Sequence, residues 1–135
     1  MRRFTSVLTV LIGIFPLTFG TRFLIDGAAA AAGFGVDPGP IGAAAAYFPV
    51  KGIRDIALGL VVLALFALGQ RRATGVVLAI LAIIPTTDMI VVLTHSGSAA
   101  VALGIHGMTA LVILVNAVLL LREPRVVEAL QPAHS

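Results

Sequence analysis

Residues 47–69 read YFPVKGIRDIALGLVVLALFALG, an apolar run that carries Lys51, Arg54 and Asp55 inside its first two turns. A helix needs roughly 20 apolar residues, at about 1.5 Å of rise each, to cross about 30 Å of hydrocarbon. This run meets that length despite its charges, and three other segments meet it as well. Spans are predicted at about 4–25, 50–69, 73–93 and 99–121. They make an all-α fold, a four-transmembrane-helix bundle in one domain over 1–135, with 122–135 as a polar cytoplasmic tail.

The composition requires that class. Of the 135 residues 59% are hydrophobic and 11% charged, and the mean hydropathy is +1.11. A soluble domain of this length could not hide so much apolar surface in one core. The absence of cysteine excludes disulfides, thiol redox chemistry and Cys-ligated metals. A pI near 10.7 would suggest nucleic acid in a soluble chain. Here the cations lie in short connections, where they set orientation, and no nucleic-acid partner is read. Arg2, Arg3, Arg71, Arg72, Arg122 and Arg125 fall on one side of four spans, so both termini are expected in the cytoplasm. The dominance of Ala, Gly, Val and Leu points to a bacterial inner or plasma membrane. The first segment shares its layout with a signal peptide, but Arg22 and Asp26 stand between its core and the small residues at 28–32, which argues against cleavage.

The longest connection, about 26–49, is DGAAAAAGFGVDPGPIGAAAAYFP and lies on the outer side. Its DPGP is a turn signal. The Ala-rich flanks read as short helices or as an extension of the first span. Tyr47 and Phe48 suit an interfacial connector, while the apolar character of the loop also suits a lid over the outer mouth.

The ionisable residues share one depth. At about 1.5 Å per residue, Arg54 and Asp55 lie roughly 6–8 Å inside the outer end of the second span, Asp88 similarly in the third, and His106 about 10 Å inside the fourth. Arg22, Lys51 and His95 lie close to the same surface, whereas the inner half reads as almost entirely aliphatic. A charge at a helix centre costs about 2.5–3.5 kcal/mol on insertion scales, so these groups must face inward or pair. Lys51 and Asp55, spaced i, i+4, can pair on one helix. Arg54 points about 100° away from that face, and Asp88 is its expected partner. Pro85 removes a backbone donor just before Thr86, Thr87 and Asp88 and should kink the third span. In the fourth, His106, Thr109, Ile113 and Asn116 follow helical spacing into the protein. Gly75 and Ala79, and Ala102, His106 and Ala110, have the small-residue spacing of close helix contacts.

Asp88, Asp55 and His106 are therefore the candidate catalytic groups, and Arg54, Lys51, Arg22, Thr87, Thr109, Asn116 and His95 the candidate ligand-binding ones. An imidazole titrating near neutral pH suits proton transfer. The bland reading of each is a register-fixing ion pair or a satisfied core histidine. His95 with Ser96 and Ser98 reads as a polar turn, since neighbours in a short loop seldom meet the geometry of a nucleophile and base. HxxxH, HExxH and ExxH spacings are absent, so no metal site is read, and no cofactor.

KGIRDIALGL, followed by IPTTDMIVVLTHSGSAAVALGIHGMTALVI, resembles a family of small integral membrane proteins catalogued as a domain of unknown function with four predicted helices. The chain is more distantly similar to DoxX-like membrane proteins. The resemblance runs from Arg22 to about Leu121, with Gly52, Arg54, Asp55, Asp88, His95, His106 and Gly107 as its distinctive positions. It implies a four-helix fold and carries no established activity.

The convergence of acid, base and cation above an aliphatic floor points to an outward-opening pocket for a lipophilic small molecule. The function read is a cofactor-free enzyme of isomerase or cyclase type, or a binding protein. The alternatives are a small proton-coupled transporter or exporter acting as a homodimer, and an accessory subunit whose charges pair with a partner helix.

Overall fold

The structure, a computed structural model, describes residues 1–37 and 39–124. The predicted tail from residue 125 onward lies outside the described residues. Among those residues every element is helical and none is a strand. They are α1 (Arg2–Ile25), α2 (Gly27–Ala32), a 3-10 turn (Gly42–Ala46), α3 (Tyr47–Ala67), α4 (Arg71–Leu81), α5 (Ile83–Thr94), α6 (Ala99–Val101), a π-helical turn (Ala102–Gly107) and α7 (Met108–Arg122).

Three rods are long and apolar enough to cross a membrane: α1, the α4–α5 rod over Arg71–Thr94, and the α6–α7 rod over Ala99–Arg122. α3 has the length, at 21 residues, but Lys51, Arg54 and Asp55 fall in every window that could make it a comparably apolar span. Large exposed side chains form an apolar belt that includes Phe4, Val7, Leu11, Phe15, Leu60, Ile80, Ile90, Leu111 and Leu114. The buried set, by contrast, includes Thr5, Thr9, Thr74, His106 and Asn116. Apolar outside and part-polar inside is the arrangement of helices whose solvent is lipid.

α1 packs along α3 and α4 along α7, and α1–α7 and α3–α4 contacts join the two pairs. Glycines set the first pair. A Cβ added at Gly20 would lie 2.5 Å from the Gly52 carbonyl oxygen, and one at Gly52 would lie 2.6 Å from that of Gly20. One turn-pair lower, a Cβ at Gly59 would meet the Gly13 carbonyl oxygen at 2.5 Å. The two backbones touch, which no side chain permits. Gly75 plays the expected part between α4 and α7, where a Cβ would sit 3.1 Å from the Ala117 carbonyl oxygen. Beside it the core is Val62, Leu78, Ala82, Ile113, Ala117 and Leu120.

The α4–α5 rod breaks where Pro85 requires it. Proline offers no N–H to the carbonyl of Leu81, four residues earlier, and α4 ends at Leu81. Thr86 Oγ1 donates to the Ala82 carbonyl at 2.7 Å, satisfying an oxygen at the break. Hydroxyls elsewhere fold back likewise, Thr9 onto Thr5 and Thr21 onto Leu17, each at 2.7 Å, which suits lipid because no water is there to take them.

Candidate site at the connector end of the rods

The long connection does not lie idle across the mouth. Asp26 ends α1 and caps α2, its carboxylate accepting from Ala29 N–H at 3.0 Å. The chain then runs as a strap onto the π-helical turn. Ser98 N–H donates to the Gly35 carbonyl at 2.9 Å, Gly35 adopts φ +102°, and a Cβ there would strike Val101. The Ala-rich flanks are short helices, and Asp37 Oδ1 accepts from Gly39 N–H at 2.9 Å; the predicted DPGP turn includes Pro38, which lies outside the described residues.

His106 is the anchor of this strap. It is buried, its ring lies 4.9 Å from that of Phe34, and Nε2 stands 2.9 Å from the Phe34 carbonyl oxygen. A carbonyl only accepts, so Nε2 carries the proton. Nδ1 then faces Asp88 Oδ2 across 3.9 Å. His106 side-chain exposure is 11% and that of Asp88 is 30%, so the carboxylate is the open side of the pair. The wide π turn around His106 is a feature often found at functional sites, because it swings side chains off the regular helical track.

Lys51 and Asp55 form the expected i, i+4 pair at 2.9 Å. The ammonium sits 5.4 Å from the centre of the Phe19 ring and 5.1 Å from that of Phe23, so α1 supplies two aromatic faces to a cation of α3. Asp88 and His106 thus bring α5 and the π turn together, while Lys51 and Asp55 form a second pair within α3.

The other candidates lie apart. Arg54 is exposed and makes no hydrogen bond or ion pair among the described residues, so the expected Arg54–Asp88 pair is not formed. The reason is helical phase: Gly52 must face α1, and Arg54, two residues on, points about 200° away from it. Arg22 and Thr87 are likewise exposed, and Thr109 is half-buried. His95 is exposed at the end of α5, its Nδ1 donating to the Val91 carbonyl at 2.9 Å. Asn116 is buried ten residues beyond His106, where Nδ2 donates to Thr9 Oγ1 at 2.8 Å and Oδ1 has no partner among the described residues.

At the end that carries residues 1 and 124, Arg71 donates to Glu123 through Nε and Nη2, to Ser6 Oγ at 3.0 Å and to Thr5 Oγ1 at 2.7 Å. Its guanidinium carbon also lies 5.1 Å from the Phe66 ring centre. One cation touches α1, α3 and the residue after α7. Nothing in the local pattern around Arg71 marks it, since Glu123 lies 52 positions away. An open apolar groove of about 270 Å³ near that end is lined by Ser6, Val7, Val10 and Leu11, far along α1 from Asp88 and His106.

Residues 13–120 match the family described as a domain of unknown function (DUF4267). The chain belongs to that family. The match runs from the middle of α1 to the last turn of α7 and so includes Asp55, Asp88 and His106; it does not carry the more distant DoxX-like likeness. No match was found among curated proteins or among solved structures.

Proposed function

We propose that this member of the DUF4267 family is a multi-pass membrane protein with four spans, α3 being the fourth and both ends of the chain cytoplasmic. In its outer half, Asp88 and His106 form an acid–base pair for a lipophilic small molecule. The observation that carries this reading is the placement of the pair. His106 is locked by the Phe34 carbonyl and bare at Nδ1 toward a half-open carboxylate, so a proton can pass between Nδ1, Asp88 and a guest without any cofactor. Phe34, Met89, Val92 and Val101 pack around the strap and π turn, giving an apolar frame for a polar end group. Binding and proton transfer, as in an isomerisation, use the same groups.

The test exploits a chain without cysteine. Asp88→Cys in intact membrane vesicles is treated with a charged, impermeant thiosulfonate from each face. Modification from the outer face alone is the expected result. Modification from the inner face, or from neither, refutes the outward-opening site.

Proton-coupled transport, the second reading, draws on the chain Glu123–Thr5–Thr9–Asn116, which enters from the opposite end and stops at the unpartnered Asn116 Oδ1. On α7 the buried Ala110 and Ile113 separate Asn116 from His106. That apolar interruption favours a floor over a pathway. Proton flux in proteoliposomes that vanishes in Asn116→Leu would reverse the order.

A further inference from the structure

We infer that the polar end of the guest at Asp88 and His106 is a neutral hydroxyl, not an anion or an ammonium; this rests on the reading of the pair as a site for a lipophilic molecule. The Phe34 carbonyl fixes the imidazole proton on Nε2. With that single proton the ring presents a lone pair at Nδ1, opposite a carboxylate oxygen 3.9 Å away. That separation is too long for a direct hydrogen bond. It is also too short for two bare acceptors to face each other comfortably where water is scarce. A proton held in the pair removes the conflict. An O–H beside it completes the set, donating to one acceptor and accepting the shared proton from the other, which a fully ionised anion, an acceptor only, and an ammonium, a donor only, cannot do.

Charge points the same way. Lys51 contributes +1 and Asp55 −1, and the two already pair at 2.9 Å; with one proton between them, Asp88 and His106 add zero. Neither pair then carries a net charge, and a neutral pair beside hydrocarbon takes a neutral guest, because an added charge would keep its desolvation penalty without compensation. The cation that could hold a phosphate or carboxylate, Arg54, is turned away on the exposed face of α3. The class is therefore long-chain or polycyclic alcohols, phenols and enols.

The test uses the full chain in phosphatidylcholine nanodiscs with ¹⁵N-labelled histidine. Only 3 histidines are present, and the His106 imidazole signal is identified by its loss in His106→Gln. Three probes share one tail and differ in the end group: 1-dodecanol, dodecyl phosphate and dodecyltrimethylammonium. Dodecanol should shift the His106 signal saturably, at a concentration about tenfold or more below either charged probe, and leave the His95 signal in place. Asp88→Leu should abolish the shift; should that variant fail to reconstitute, Asp88→Asn, which keeps the shape, should weaken it. A charged probe that shifts His106 at equal or lower concentration, and depends on Asp88, overturns the hydroxyl assignment and leaves the site standing. If no probe moves His106, or the shift survives loss of the Asp88 carboxylate, the site and the assignment fall together.

Discussion

Arg71 and Glu123 hold each other side by side at the end of the rods that carries residues 1 and 124, with Nη2 donating to Oε1 at 2.7 Å and Nε to Oε2. Their side chains are 16% and 13% exposed, so removing one partner strands the other in poor solvent. Arg71→Leu should destabilise the protein by about 1–3 kcal/mol in a detergent-based unfolding assay. Arg71→Leu combined with Glu123→Leu should recover part of that loss, since no unpaired charge remains. A double variant less stable than Arg71→Leu alone would contradict the clamp.

The same contact makes stability depend on pH. Donation from Arg71 is the largest influence holding the Glu123 carboxyl below its ordinary range, with Thr5 and Arg2 assisting against partial burial. A carboxyl depressed in the folded state contributes stability above its unfolded pKa, about 4.3, and loses it as pH falls through the lower folded value. The melting temperature should therefore drop in acid below that point, and Glu123→Gln should flatten this part of the profile. An unchanged profile would detach Glu123 from acid stability.

Gly20 and Gly52 approach so closely that a methyl on either would overlap the other's carbonyl oxygen. Gly20→Ala and Gly52→Ala should each cost about 1–3 kcal/mol through forced separation of α1 and α3. At Gly104 nothing lies within 4 Å of the added carbon, so Gly104→Ala should be near neutral and serves as the control. Equal effects at all three positions would mean that packing is not the cause.

His106 Nε2 and the Phe34 carbonyl tie the strap to the π turn. His106→Phe leaves that carbonyl without a donor, at about 1 kcal/mol. Amide exchange should then rise at Ser98, whose N–H bonds Gly35 in the same strap. His106→Gln, with a donor on a similar reach, should exchange more slowly than His106→Phe, and equal rates in the two variants would assign the effect to lost ring packing.

Buried Asn116 and Thr9 share one hydrogen bond while Asn116 Oδ1 stays unpartnered. Replacing both groups by apolar ones of similar shape, Thr9→Val with Asn116→Leu, should change stability by less than about 1 kcal/mol in either direction, because one interhelical bond in lipid is worth about 0.6 kcal/mol. A large loss would reveal a polar partner for Asn116 in the folded protein.

Much of the candidate site was legible where the determining neighbours are close in sequence. Lys51 and Asp55 pair as their spacing demands, and the rod breaks before Pro85. One long-range feature was also written plainly: Gly13, Gly20 and Gly27, and Gly52 and Gly59, recur at seven-residue intervals, the period that keeps one face of a helix on a neighbour. Reading small residues only at four-residue spacing passes over it. The Arg54–Asp88 pairing, by contrast, followed from equal depth alone, and depth says nothing about which way each helix is turned.

The sequence by itself determined the surroundings this protein is built for, the lengths of its rods and the short-range pairs, because hydropathy and contacts within about four residues depend on nothing farther away. Only the tertiary structure decided which face each rod shows. Backbone contact at the glycines turns Arg54 outward. The strap brings Phe34 to His106 across 72 positions, and the return of the last rod brings Glu123 to Arg71. Rotation of a helix about its axis is set by the neighbour it packs against, and that neighbour is chosen by the whole fold.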